Sequence, residues 1–148
     1  MSGKWAGFTH TFMATEQNTR IALAEIMTHL QTVGVPEEQA GGVEIALAEV
    51  VNNIVEHAYR EVAEGRVVFR AGVKGNVLRV LIVDAGVELP GSTLPEGKPA
   101  NLDTGLNELP EGGFGWFMIR TLTRDIRYRR LRGRNHLRLM FDLIPKVC

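Results

Sequence analysis

The spacing of apolar and polar positions divides the chain into short strands and amphipathic helices. From Trp5 to Thr15, Phe8, His10 and Phe12 alternate with Thr9, Thr11 and Met13, which predicts a first strand. Thr15 suits an N-cap, and Asn18 to Val33 reads as a helix with Ile21, Leu23, Ala24, Met27 and Leu30 as its apolar set. Gly34-Val35-Pro36 stops it. Pro36, Glu37 and Glu38 open a second helix, with proline near the first turn and acids at the positive end of the dipole. This helix is expected to reach about Val62 and to end near Gly65, with Val43, Leu47, Val50, Val51, Ile54 and Ala58 as its buried stripe. Arg66–Val73 and Val77–Val83 are β-branched runs joined by Lys74-Gly75-Asn76, a hairpin signal. Periodicity vanishes from Val87 to Gly112, where Pro90, Pro95, Pro99 and Pro110 interrupt the chain. A short helix over Trp116–Thr123 follows. Asp125–Leu131 and His136–Leu143 then read as a closing antiparallel pair around Arg132-Gly133-Arg134.

Strand-helix-helix-strand-strand, a long irregular loop, then helix-strand-strand implies an α+β fold. The expected architecture is a two-layer sandwich, with a mixed, mostly antiparallel sheet and helices on one face. Residues 1–148 are expected to form one domain in which the stretch from about 87 to 112 is a lid, since irregular segments this long in compact domains are lids or disordered loops.

Composition narrows the setting. The 148 residues are 45% hydrophobic, enough for one real core. Lys plus Arg and Asp plus Glu each total 17, so bulk charge draws the chain neither to nucleic acid nor to an anionic membrane. The charge is unevenly spread, however: residues 37–64 carry seven Glu and residues 120–138 carry eight Arg. Such a split marks two solvated faces or the footprint of a protein partner. The one cysteine, Cys148, excludes a disulfide framework and a Cys-based metal site within the chain. No apolar signal segment opens the sequence and no run approaches a membrane span, so a cytoplasmic setting is expected.

Three stretches carry candidate chemistry. Glu49, Asn53 and His57 recur at i, i+4 and i+8, along one side of the second helix. At about 100° per residue, Glu49 and Asn53 stand more than about 90° from the centre of the apolar stripe. A carboxylate and a carboxamide so placed can serve as proton acceptor and magnesium ligand, or can simply form a solvated face. Asp84-Ala85-Gly86 ends a strand, where an aspartate can accept from an exocyclic amine such as that of adenine. A plain turn is the alternative. Gly112-Gly113-Phe114-Gly115 opens a helix, leaving N–H groups free to meet an anion; read alone, it is a hinge and cap. Together, in this order, the three describe a nucleotide site, with adenine on Asp84, magnesium on Asn53 and phosphates at Gly113 and Gly115.

At these residues the sequence resembles the GHKL, or Bergerat-fold, ATPases, and within them the small anti-sigma-factor serine kinases. Glu49-x-x-x-Asn53-x-x-x-His57-Ala58 is similar to the family's N box, Asp84-x-Gly86 to the first part of its G1 box, and Gly113-x-Gly115-x-x-x-Ile119 to its G2 box. The resemblance covers about residues 8–143. It implies a left-handed βαβ-type ATP sandwich that phosphorylates a serine or threonine on a STAS-type anti-anti-sigma protein. It further implies sequestration of a sigma factor, and a homodimer. Glu88 departs from the pattern, standing where the G1 box keeps a second glycine.

On this reading Glu49 accepts the hydroxyl proton, Asn53 holds Mg²⁺ alongside ATP, and the Gly113–Phe114–Gly115 turn meets the phosphates. Gly86 lets backbone approach the base, and Asn135 adds a polar contact near adenine. His57 either contacts the nucleotide or is a packed core histidine. Two other readings stay open: the ATP-binding subunit of a histidine kinase, and a non-catalytic module that acts by protein binding only.

Overall fold

The computed structural model describes residues 6–59, 65–94 and 114–144. Strand β1 (Ala6–Met13) leads into helices α1 (Glu16–Val33) and α2 (Glu37–Asn53). The hairpin β2 (Arg66–Lys74) and β3 (Val77–Asp84) follows, then α3 (Phe114–Leu122), β4 (Asp125–Leu131) and β5 (Arg134–Asp142). The element order is the one the pattern predicts. The strands lie in the order β1-β2-β3-β5-β4, and every pairing is antiparallel.

Local chemistry sets the boundaries. Thr15 caps α1, its Oγ1 accepting from the Asn18 N–H at 3.1 Å. Gly34 ends the helix at φ 122, a conformation L side chains rarely adopt. At the last hairpin Arg132 (φ 53) and Gly133 (φ 75) are both left-handed, which matches the right-handed twist of β4 and β5.

Strand alternation sorts the side chains. Val67, Phe69 and Ala71 on β2, Leu78, Val80 and Ile82 on β3, and Leu137, Leu139 and Phe141 on β5 are buried beneath the helices. Ile26 and Leu30 of α1, Leu47, Val50 and Val51 of α2 and Ile119 of α3 close the core from above. Each such Val, Leu, Ile or Phe side chain contributes about 1.5–3 kcal/mol on burial. Helix α3 runs antiparallel along α2. Leu122 Cδ2 lies 3.6 Å from where a Gly42 Cβ would stand, and Glu49 Oε2 meets Gly115 at the other end.

Two expectations need correction. The α1 stripe is Thr19, Ala22, Ile26, Met27 and Leu30, whereas Ile21 is 53% exposed. Small Ala22 and polar Thr19 occupy the buried side, so the larger Ile21 misleads. The second helix is also not α-helical to Val62. It changes at Ile54 to a wider π turn, Ile54–Ala58, closed by the Tyr59 N–H donating to the Ile54 carbonyl at 3.1 Å. Residues 60–64 and most of the expected lid, 95–113, lie outside the described residues, as does Trp5.

Candidate functional site

The C-terminal end of β3 and the start of β5 meet at one end of the sandwich, where the register pairs Asp84 with Asn135. Both are buried, each 5% exposed. Asn135 Nδ2 donates to Asp84 Oδ1 at 2.8 Å and to the Val87 carbonyl at 2.9 Å. The Gly86 N–H donates to the same Oδ1 at 2.9 Å. Among the described residues both bonds to this carboxylate fall on Oδ1. Burial pushes the Asp84 carboxyl above the usual range, while the Asn135 and Gly86 bonds and the nearby Arg130 and His136 pull it back.

The orientation of Asn135 is fixed from β4. Tyr128 OH donates to Asn135 Oδ1 at 2.5 Å, and Arg130 Nη1 donates to it at 3.0 Å. With its oxygen held by two donors, the amide must present its nitrogen to Asp84. Arg130 Nη1 also donates to the Gly86 carbonyl at 2.6 Å, and Tyr128 OH accepts from the Leu89 N–H at 3.1 Å. The loop leaving β3 is thus tied down over residues 86–89. Glu88 in this loop is exposed.

Tyr59 ties the helix end to the same loop. Its hydroxyl donates to the Arg66 carbonyl at 2.6 Å and accepts from the Ala85 N–H at 2.7 Å. A Cβ at Gly65 would stand 2.4 Å from the Tyr59 ring, so the ring's close approach needs glycine there. Asn53, at the end of α2, is half-buried, and its Nδ2 is a buried nitrogen with no partner among the described residues. Glu49, one turn earlier and also half-buried, lies against α3, because a Cβ on Gly115 would come within 2.6 Å of its Oε2.

The structure therefore joins Asp84, Gly86 and Asn135 in one network and brings Glu49 against Gly115. Gly113 and the side chains of His57 and Phe114 lie outside the described residues, and His57 falls in the π turn, where α-helical spacing from Asn53 no longer applies. Sequence reasoning missed Tyr59, Tyr128 and Arg130. Strand alternation was the available signal for the last two, since Ile126, Tyr128 and Arg130 share one face of β4.

The site fits magnesium on the chemistry of its donors. No cluster of three His, Cys, Asp or Glu that could hold a metal exists among the described residues. The oxygen of the Asn53 carboxamide is a ligand type that suits an ion keeping much of its hydration, whereas the unpartnered Nδ2 can only donate.

An antiparallel sheet roofed by three helices, with a buried acid at one strand end and a helix start against a glutamate, defines an α+β two-layer sandwich. The profile of the histidine kinase-like ATPase domain matches residues 12–141, and the chain belongs to that family. Among curated proteins it is 39% identical over 84 residues to the serine-protein kinase RsbW of Bacillus mycoides (strain KBAB4), covering 55% of this chain and 51% of that one. The serine-protein kinase RsbW of Bacillus thuringiensis (strain Al Hakam) is 38% identical over the same length. The chain spans about half the length of these relatives. A crystal structure of the RsbU and RsbW domains of a Mycobacterium tuberculosis protein superposes with a TM-score of 0.63 at 21% identity, covering 93% of this chain and 32% of that one. That likeness is one of fold. No helix among the described residues is long and apolar enough to cross a membrane.

Proposed function

We propose that the chain is a cytoplasmic ATP-dependent protein kinase that phosphorylates a serine or threonine of a STAS-type anti-anti-sigma protein and sequesters a sigma factor, acting as a homodimer. The observation that carries this reading is the contact between Glu49 and Gly115, which sets a candidate base against the first turn of a helix. The names of the curated relatives support it further.

Asp84 accepts the exocyclic amine of adenine, held in place by Asn135 and by the Gly86 N–H. Asn53 would hold Mg²⁺ through its carboxamide oxygen, and the ion would supply positive charge against the phosphates. At the start of α3 the Gly115 N–H would meet the negative charge of the phosphates, with the helix dipole adding to its pull, and Gly113, outside the described residues, is assigned the same role. Glu49 takes the proton of the incoming hydroxyl as its oxygen bonds to the γ-phosphorus. The bond to the β–γ bridging oxygen breaks, and ADP leaves with that electron pair. General-base assistance of this kind is worth about 10²–10⁴-fold.

Incubation with labelled ATP, magnesium and STAS proteins of the source genome tests the reading, with calorimetric titration of Mg-ATP beside it. Wild type should label a STAS protein with an acid-stable phosphate, while Glu49→Ala should bind Mg-ATP and transfer little. Wild-type transfer by Glu49→Ala removes the base assignment, and an acid-labile product points to phosphohistidine instead. The exposed Glu88 beside the pocket loop favours one other reading, a nucleotide-free sequesterer. Absence of Mg-ATP binding by wild type would select it.

A further inference from the structure

The outer face of the sheet, turned away from the helices, has no part in the site above. Strand alternation divides the arginine-rich stretch noted in the sequence. Arg130 turns inward onto Asn135, whereas Arg127 and Arg138 fall on the outer face with Arg70 and Arg79 of the central strands. The register lines them up. One rank across all five strands reads Thr9, Arg70, Leu81, Arg138, Arg127, and the next reads Gly7, Gly72, Arg79, Met140, Asp125. The four arginines are exposed. The acids of this face are already engaged, Asp125 with Arg127 at 3.0 Å and Asp142 with Arg124 at 3.2 Å.

Where the two ranks meet β1 the face is notched. A cavity of about 380 Å³ is lined by Gly7, Thr9, Arg70, Gly72, Arg79 and Leu81, together with Phe8 and Ala71. Gly7 and Gly72 oppose each other directly, so the floor is bare backbone. A Cβ on Gly7 would stand 2.4 Å from the Ala71 carbonyl oxygen, so only glycine fits there.

We propose that this face docks an acidic segment of a partner protein, its carboxylates on Arg70 and Arg138 and a small apolar side chain in the Gly7–Gly72 notch. Arginine's planar fork matches carboxylates, and half-buried Leu81, ranked between Arg70 and Arg138, with Met140 beside Arg79, supplies the apolar ground of a protein interface. A second copy placed face to face would bring like charges together. A nucleic-acid strand is disfavoured, because single-strand readers stack bases on aromatic rings and the outward positions of the five strands carry no Phe, Tyr or Trp. The face lies across the sheet from Asp84, so the inference stands apart from the kinase reading.

Fluorescence anisotropy with a labelled peptide of repeating Glu-Ala-Glu-Leu tests it, with labelled oligothymidylate as comparator. The peptide should bind saturably, and the Arg70→Glu/Arg138→Glu double variant should weaken it about tenfold or more. The neutral Arg70→Ala/Arg138→Ala pair should weaken it less, and the urea unfolding midpoint of both variants should stay near that of wild type, which reports an intact fold. Absence of saturable peptide binding, equal affinity in the double variant, or tighter binding of oligothymidylate than of peptide would each overturn the proposal. So would loss of a wild-type dimer in the double variant, seen by sedimentation equilibrium, without any effect on the peptide.

Discussion

Replacing Asn135 by alanine removes one side chain from the centre of the Asp84 network. Asp84 loses a buried charge-assisted bond of 2.8 Å, and Tyr128 OH and Arg130 lose their shared acceptor. A hydrogen bond to a charged group is worth about 1.5–3 kcal/mol, and leaving buried partners unsatisfied adds to it, so a loss of about 2–4 kcal/mol is expected at neutral pH. With an m-value of about 2 kcal/mol per molar urea, the unfolding midpoint falls by roughly 1–2 M. The loss depends on pH in a definite direction. Burial raises the folded pKa of Asp84 above its unfolded value, so the native chain binds this proton more tightly. The cost of the buried charge is absent below the ordinary carboxylate range and complete above the raised folded value. The Asn135 bond opposes the rise, so Asn135→Ala lifts the folded pKa further. The destabilisation should therefore shrink as pH falls through that window. Urea titrations of both proteins at neutral pH and in mild acid measure it. An equal loss at both pH values would mean that Asn135 does not stabilise a charged Asp84.

Gly115→Ala drives a Cβ to 2.6 Å from Glu49 Oε2, and the flexible carboxylate gives way. Since misplacement of about 1 Å can cost about 10²-fold in rate, partner phosphorylation should fall about tenfold or more while the melting temperature moves little, and an unchanged rate refutes the role of this contact. Tyr59→Phe deletes a hydroxyl that bonds Arg66 and Ala85, and should cost about 1–3 kcal/mol by urea unfolding; a loss under about 0.5 kcal/mol would show that water replaces it. Glu88→Gly removes an exposed negative charge from the loop after Asp84 and should tighten Mg-ATP binding about two- to fivefold in low salt and less in high salt; calorimetry at both ionic strengths decides.

The strands and helices were legible because their signals are local. Alternation over Phe8–Met13, the β-branched runs flanking Gly75, and Arg132-Gly133 each specify an element from a few neighbouring residues. Asp84 and Asn135 could be nominated singly, but their bond arises from strand pairing between residues far apart in the chain. Arg130 was hidden for a related reason. In the sequence it is one of eight clustered arginines, and only the inward face of β4 separates it from the rest. The π turn after Asn53 left no pattern to read, since Ile54, Val55 and Ala58 suit an ordinary helix equally well.

Tyr59 makes the junction between the helix end and the loop after β3 tolerant of alkali. One oxygen both gives a proton to Arg66 and receives one from Ala85, and it can do both only while the phenol stays un-ionised. Burial, its strongest influence, pushes its pKa above that of free tyrosine. This latch keeps its donor into a range where exposed phenols already lose theirs, so in the native chain the tyrosinate absorbance of this residue should emerge later in a base titration than that of the free amino acid.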